Sequence, residues 1–293
     1  GFASVLSAQS MFPVLSPDEM EGHYAENDVA RAVRQGFLTG ENGAWALISA
    51  RVAAIAEYQS AFEQINGPGH RVTFTDISDV IAEFIAFEWR ADNSPFDQYL
   101  RNGNTLPKAA HLGMELFYGK AQCSGCHAGQ FQTDHNFHAI ALPQIGPGKS
   151  ARFETHARDE GRLRVTGNPA DAYKFRTPSL RNVAQTAPYG HNGTYGTLKA
   201  IIRHHLDPVA SLKAYDVTQL VLPNLPNSQD FRATRDPYQQ AAIAAANELP
   251  PSDLSETEIT QIVAFLNALS DTASLSGQLG VPRSVPSGLP VDQ

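Results

Sequence analysis

Cys123-Ser124-Gly125-Cys126-His127 is the stretch on which the reading of this sequence turns. These are the chain's 2 cysteines. Three positions apart, they cannot staple two distant segments, so they serve local chemistry. With His127 directly after them they form C-x-x-C-H, the attachment signal of a c-type haem. Two thiols add to the two vinyl groups of one porphyrin, and the next residue sets an imidazole beneath the iron. A redox C-x-x-C pair does not require the histidine, and no βαβ pattern surrounds this one. A zinc site would bring a second Cys/His pair at finger-like spacing, and none follows. Haem c implies an oxidising, extracytoplasmic compartment.

Working outward, the pattern is mainly helical. A helix over about Pro107–Gly119 runs into the motif. Upstream, a short helix is expected over 28–36. Another is expected from Trp45 to Phe62, where Trp45, Ile48, Val52, Ile55 and Phe62 recur near the helical period. A third follows Thr75 or Asp76 as cap, with Ile77, Val80, Ile81, Phe84 and Ile85 at helical spacing. Downstream, Ser255 and Glu258 spell a capping box with Leu254 and Ile259 as its staple, and Ile259, Ile262, Val263, Leu266 and Leu269 as its buried stripe. Residues 128–170 read as a long structured loop, and 222–237 as a Pro/Asn-rich stretch. The expected fold is mainly α: cytochrome c-like haem domain(s) with long irregular loops. A linker at Arg101-Asn102-Gly103-Asn104 divides residues 1–103 from a haem domain over 104–275, with a Pro/Gly/Ser-rich tail over 276–293.

Composition agrees. The chain has 293 residues, and at roughly 150 residues per domain that is about two domains. A hydrophobic fraction of 42% and a net charge of −8 describe a globular, acidic protein. No basic run could neutralise phosphates, so nucleic acid is excluded as a partner. No apolar stretch approaches the ~20 residues of a transmembrane helix. Gly1-Phe2-Ala3-Ser4 carries no signal-peptide pattern, so a leader has been removed or the sequence starts inside a longer protein.

The iron's other axial position needs a donor. Met114 lies too close before the motif, and Met11 and Met20 lie in the first part of the chain. Over Thr197–His205 the residues Leu198, Ile201, Ile202 and His205 share one apolar helical face, with His204 off its centre. His205 is therefore the first candidate. His204, His191, His138 and an open site remain alternatives.

Tyr173-Lys174-Phe175-Arg176-Thr177-Pro178-Ser179-Leu180-Arg181-Asn182-Val183, followed by Thr186-Ala187-Pro188-Tyr189-Gly190-His191-Asn192-Gly193, resembles the bacterial di-haem cytochrome c peroxidases, closest to the branch that includes MauG-like proteins. Gly113–His127 and the closing Ile262-Val263-Ala264-Phe265-Leu266 fit as well. The resemblance covers most of 5–270. It implies two cytochrome c-like domains with one haem each, the N-terminal haem reacting with peroxide and the C-terminal one relaying electrons. It places the second axial ligand at His205, where known members carry Met or Tyr. It makes Gln9 and Glu19 the peroxide-pocket pair, Glu19 as general acid/base; the alternative is an ordinary acid in the first turn of a helix. Arg176 and Arg181 become candidates for pairing with haem propionates or for structural ion pairs. A calcium ion bound by backbone near Thr177 and Ser179 is also implied.

One departure stands out: the family has two C-x-x-C-H motifs and this chain has 1. The chain thus resembles the larger, C-terminal part of a di-haem protein, with the first haem on a segment outside it or on a separate chain. The implied function is a periplasmic peroxidase-like oxidoreductase. Its partners would be hydrogen peroxide, and a small electron-donor cytochrome or cupredoxin, or a protein substrate. The rival reading is a non-enzymatic electron carrier with a single bis-His haem.

Overall fold

The structure is a computed structural model that describes residues 1–17, 19–146, 156, 158–220, 222 and 228–291. Its contacts fall into two compact units, Gly1–Arg90 with Ala273–Gln293, and Ala91–Thr272.

The first unit holds α1 (Val5–Gln9), α2 (Met11–Val14), α3 (Asp28–Arg34), α4 (Ala44–Ala53), α5 (Ala56–Asn66) and α6 (Phe74–Glu88). The helix expected across Trp45–Phe62 is two helices, because Ile55 takes an extended conformation between them. No Gly or Pro marks that break. It lets α4 pack against both α5 and α6. The cap of α6 is Thr73, not Thr75 or Asp76. Its hydroxyl accepts from the Asp76 N–H, while the Asp76 carboxylate accepts from the Thr73 N–H. Phe74 then stacks on Trp45, centroids 5.3 Å apart. The α6 helix buries Phe74, Ser78 and Ala82 but leaves Val80, Ile81 and Phe84 exposed. The tail is tied down at its start. Buried Glu88 accepts from the backbone N–H groups of Gln278 (2.9 Å), Leu279 (2.7 Å) and Gly280 (3.1 Å). Gly277, at φ +70°, is needed there, since a Cβ would come within 2.3 Å of the Glu88 carboxylate. Residues 292–293 of the expected tail lie outside the described residues.

The second unit opens with α7 (Pro95–Asn102) and α8 (Lys108–Tyr118). It begins at Ala91 and not near 103, because Phe96 on α7 packs edge-on against Phe265 at 5.1 Å and belongs to this core. There follow β1 (Phe137–His138), α9 (Leu163–Thr166), β2 (Phe175–Arg176), α10 (Leu198–Leu206), α11 (Pro208–Lys213), α12 (Arg232–Arg235), α13 (Pro237–Ala245) and α14 (Glu256–Asn267). The antiparallel pair β1–β2 sets Phe137 opposite Arg176 and His138 opposite Phe175. Within the expected loop 128–170, residues 147–155 and 157 lie outside the described residues; so do 223–227 of the Pro/Asn-rich stretch.

The capping box on α14 forms as the sequence spells it, with Leu254 and Ile259 both buried as its staple. Ile259, Ile262, Phe265 and Leu266 face the core. The α8 helix crosses α14 at Gly113, where a Cβ would lie 1.9 Å from the Gln261 carbonyl oxygen. Only glycine allows that approach, and it delivers the end of α8 to the cysteine motif. Among the described residues, no helix is long and apolar enough to cross a membrane.

Candidate haem centre

After α8 the chain turns through Gln122, at φ +54°, into a single 3-10 turn over Cys123–Gly125. The His127 N–H closes back on the Cys123 carbonyl at 2.9 Å. Both thiols are free, not paired in a disulfide. Burial pushes the Cys123 thiol up to about 11. His127 is fixed by its ring: Nδ1 lies 3.2 Å from the Gln132 carbonyl. A carbonyl can only accept, so Nδ1 carries the hydrogen and Nε2 is left as a bare lone pair. Burial, and then the nearby His205, push His127 down to about 4, so it stays neutral.

His205 repeats the arrangement. Its Nδ1 donates to the Ile201 carbonyl one turn back at 2.8 Å, leaving Nε2 bare. Burial lowers its pKa as well. The alternatives each have Nε2 engaged. His204 is wholly buried, with Nδ1 2.8 Å from the Tyr195 hydroxyl and Nε2 2.7 Å from the Ile140 carbonyl. It is the most buried residue of α10, although the helical period put it off the apolar face. The Nε2 of His138 meets Asp134 at 2.8 Å, and the Nε2 of His191 meets Asp159 at 2.8 Å. The donor set therefore fits a covalently held haem: two free thiols, and two neighbouring imidazoles whose Nε2 atoms carry no hydrogen.

The other expected residues are placed as follows. Arg181 makes a bidentate pair with Asp97 at 2.9 and 3.0 Å and donates to the Gln130 and Ala91 carbonyls, both at 2.8 Å. Its guanidinium clamps the loop behind the motif to the start of α7, the structural alternative for this residue. Arg176 is exposed and donates toward His135 Nδ1 at 3.3 Å. The Thr177 carbonyl accepts from the Thr133 hydroxyl at 2.7 Å, and the Ser179 hydroxyl donates to the Phe131 carbonyl at 2.7 Å. Gln9 and Glu19 are both exposed, and among the described residues no side-chain hydrogen bond holds either. Glu19 stands in a turn after α2, not in the first turn of a helix. Cys126, Asp134 and His138 bring ligand-type atoms within 4.8 Å of one another, beside the cysteine motif. His138, the adjacent Asn136 N–H and Thr177 outweigh desolvation and hold Asp134 at about 2.

Some contributors carried no sequence signal. Gln132 has φ +53° and only 5% exposure, yet no pattern marks it. Asp97 could have been found: Ser94-Pro95-Phe96-Asp97 is itself a capping box, formed here in full. A cavity of about 600 Å³ lined by Phe96, Leu100, Met114, Tyr118, Gln132 and Arg181, among others, lies behind the His127 loop and not at the thiols.

Helices α8 and α14 crossing at a glycine, the motif beyond α8 and a nearby imidazole on α10 are the arrangement expected of a c-type haem protein. Comparison with known proteins narrows the class. Residues 1–105 match the family described as di-haem cytochrome c peroxidase. The cytochrome-c peroxidase IdrP1 of Denitromonas iodatirespirans is 30% identical over 270 residues, 84% of this chain and 62% of that protein. The methylamine utilization protein MauG of Methylorubrum extorquens is 28% identical over 210 residues, 70% of this chain and 50% of that protein. A crystal structure of a MauG-like protein associated with microbial copper homeostasis superposes with a TM-score of 0.56 at 26% identity, covering 91% of this chain and 69% of that one. Over most of its length the chain is therefore similar to di-haem cytochrome c peroxidases and MauG-like proteins. It spans 62% and 50% of the lengths of those two curated relatives.

Proposed function

We propose that this chain is the electron-relaying part of a periplasmic di-haem peroxidase-like oxidoreductase, with His127 and His205 as the axial ligands of its haem c. The observation that carries the reading is the pair of bare Nε2 atoms, each on a ring whose other nitrogen is bonded to a backbone carbonyl. Haem bound there supplies one-electron redox chemistry. Cys123 and Cys126 hold the porphyrin covalently. With both imidazoles committed, no face remains for peroxide, so this centre relays electrons.

Support for a second haem domain comes from α6. Thr73 and Ser255 open α6 and α14 with the same capping box, and Ile77, Val80, Ile81 and Phe84 stand where Ile259, Ile262, Val263 and Leu266 stand. Ile262 and Leu266 are buried under α8, whereas Val80 is 38% and Phe84 41% exposed. We read α6 as the closing helix of the peroxidatic domain, whose haem-bearing helix lies outside these residues or on a separate chain. Gln9 and Glu19 would then serve the peroxide pocket, Glu19 moving a proton between the peroxide oxygens. Hydrogen peroxide and a small donor cytochrome, cupredoxin or protein substrate belong to that reading. Calcium does too, held by carbonyls near Thr177 and Ser179; the Thr177 carbonyl keeps a second lone pair for it.

A pyridine haemochrome count on the intact protein tests the proposal. Two haems with peroxide turnover support it. One low-spin haem without turnover makes the protein an electron carrier instead.

A further inference from the structure

We infer that Gln132, locked by Tyr118, is a positioning residue that sets how strongly His127 donates to the haem iron. Each axial imidazole is held through Nδ1 by a carbonyl, but the two carbonyls differ. The one serving His205 belongs to Ile201, inside α10, where helical geometry fixes it. The one serving His127 belongs to Gln132, in irregular chain, where nothing regular aims it. Gln132 points that carbonyl at the ring by adopting φ +53°. The left-handed region is disfavoured for an L residue with a Cβ, so other contacts must hold it there.

The side chain provides them. Its Oε1 accepts from the Tyr118 hydroxyl at 3.0 Å, and its Nε2 donates to the Gly129 carbonyl at 3.2 Å. The Gln132 backbone N–H donates to the same Gly129 carbonyl at 3.1 Å. Tyr118 is the last residue of α8, so the lock ties the loop to the helix that delivers the cysteines. Burial raises the Tyr118 pKa, which keeps it a phenol and a donor. A well-aimed Nδ1–H···O bond makes the imidazole a stronger base toward iron, and a stronger base favours the ferric state. Loosening the lock therefore raises the midpoint potential.

The inference rests on the proposed haem attachment, and the test separates the two. Spectroelectrochemical titration of the haem-loaded chain is compared with Tyr118→Phe, Gln132→Leu and Gln132→Gly. Tyr118→Phe removes one hydrogen bond and no bulk. Gln132→Gly tolerates the positive φ but removes the whole side chain and with it both of its hydrogen bonds. All three are expected to raise the ferrous-to-ferric ratio at a fixed poise by about tenfold, 59 mV for one electron, with the haem still low-spin. The Tyr118→Phe/Gln132→Leu double variant should move no further than Gln132→Leu alone. Covalent haem whose potential is unmoved in Tyr118→Phe and Gln132→Leu overturns this inference and leaves the ligand assignment standing. Absence of covalent haem overturns both.

Discussion

Removing the Arg181 guanidinium should destabilise the second unit without touching the cysteine motif. The side chains of Arg181 and Asp97 are 19% and 11% exposed, and two parallel bonds at 2.9 and 3.0 Å join them. Breaking a buried pair by deleting one partner leaves an uncompensated charge and costs about 3–5 kcal/mol. Here Ser94 still donates to Asp97 through its hydroxyl at 2.7 Å and its N–H at 2.9 Å, which favours the lower end. The unit is about 180 residues, for which each kcal/mol moves Tm by about 2–4 °C. Arg181→Ala should therefore lower its Tm by roughly 10 °C at pH 7. The pH dependence has a definite sign. Burial alone would raise the Asp97 pKa, but Arg181 and Ser94 outweigh it and hold it below the usual carboxylate value. A depressed carboxylate stabilises the folded state above its unfolded pKa of about 3.9, and that contribution is lost as pH falls through the folded value. The variant lacks most of it, so the gap to wild type should narrow below about pH 4. Thermal melts of both proteins by circular dichroism at pH 7 and pH 3.5 measure this. A gap under about 1 kcal/mol at pH 7, or one that does not narrow in acid, would refute the reasoning.

Gly113→Ala should cost at least about 1–3 kcal/mol in a urea melt, because the new methyl meets the Gln261 backbone and no flexible side chain can yield. Tyr195→Phe leaves the buried His204 Nδ1 without its donor and should cost about 1–3 kcal/mol, with the haem spectrum unchanged; a spectral change would reopen the ligand assignment. Asp134 is held at about 2, so its contribution is complete above the unfolded value near 3.9 and fades as pH falls toward 2. An acid titration followed at the Soret band should show the centre loosening across that window, and Asp134→Asn should abolish that phase.

What could be read from the residues divides by how local the physics is. The C-x-x-C-H motif and the Ser255 capping box are both contiguous; the box forms as spelled, and the motif folds into a 3-10 turn. Helical periodicity and the family resemblance both point to His205, yet the residue that the fold buries completely is His204. It is buried because Tyr195 and the Ile140 carbonyl, distant in sequence, satisfy both its nitrogens. The bare Nε2 of His205 is what singles it out, and hydrogen-bond bookkeeping of that kind needs coordinates. The unit boundary moved from about 103 to Arg90/Ala91 because Phe96 packs on Phe265, a contact no turn signal encodes. Gln132 was invisible for the same reason, since its role lies in a backbone angle.

The central claim is that His127 and His205 are the two axial ligands of one haem. Low-temperature electron paramagnetic resonance of the ferric, haem-loaded chain beside His205→Ala tests it most directly. The account predicts a low-spin signal in the parent that converts to high-spin in the variant, while His204→Ala, if folded, stays low-spin. A low-spin signal that survives His205→Ala unchanged would contradict it.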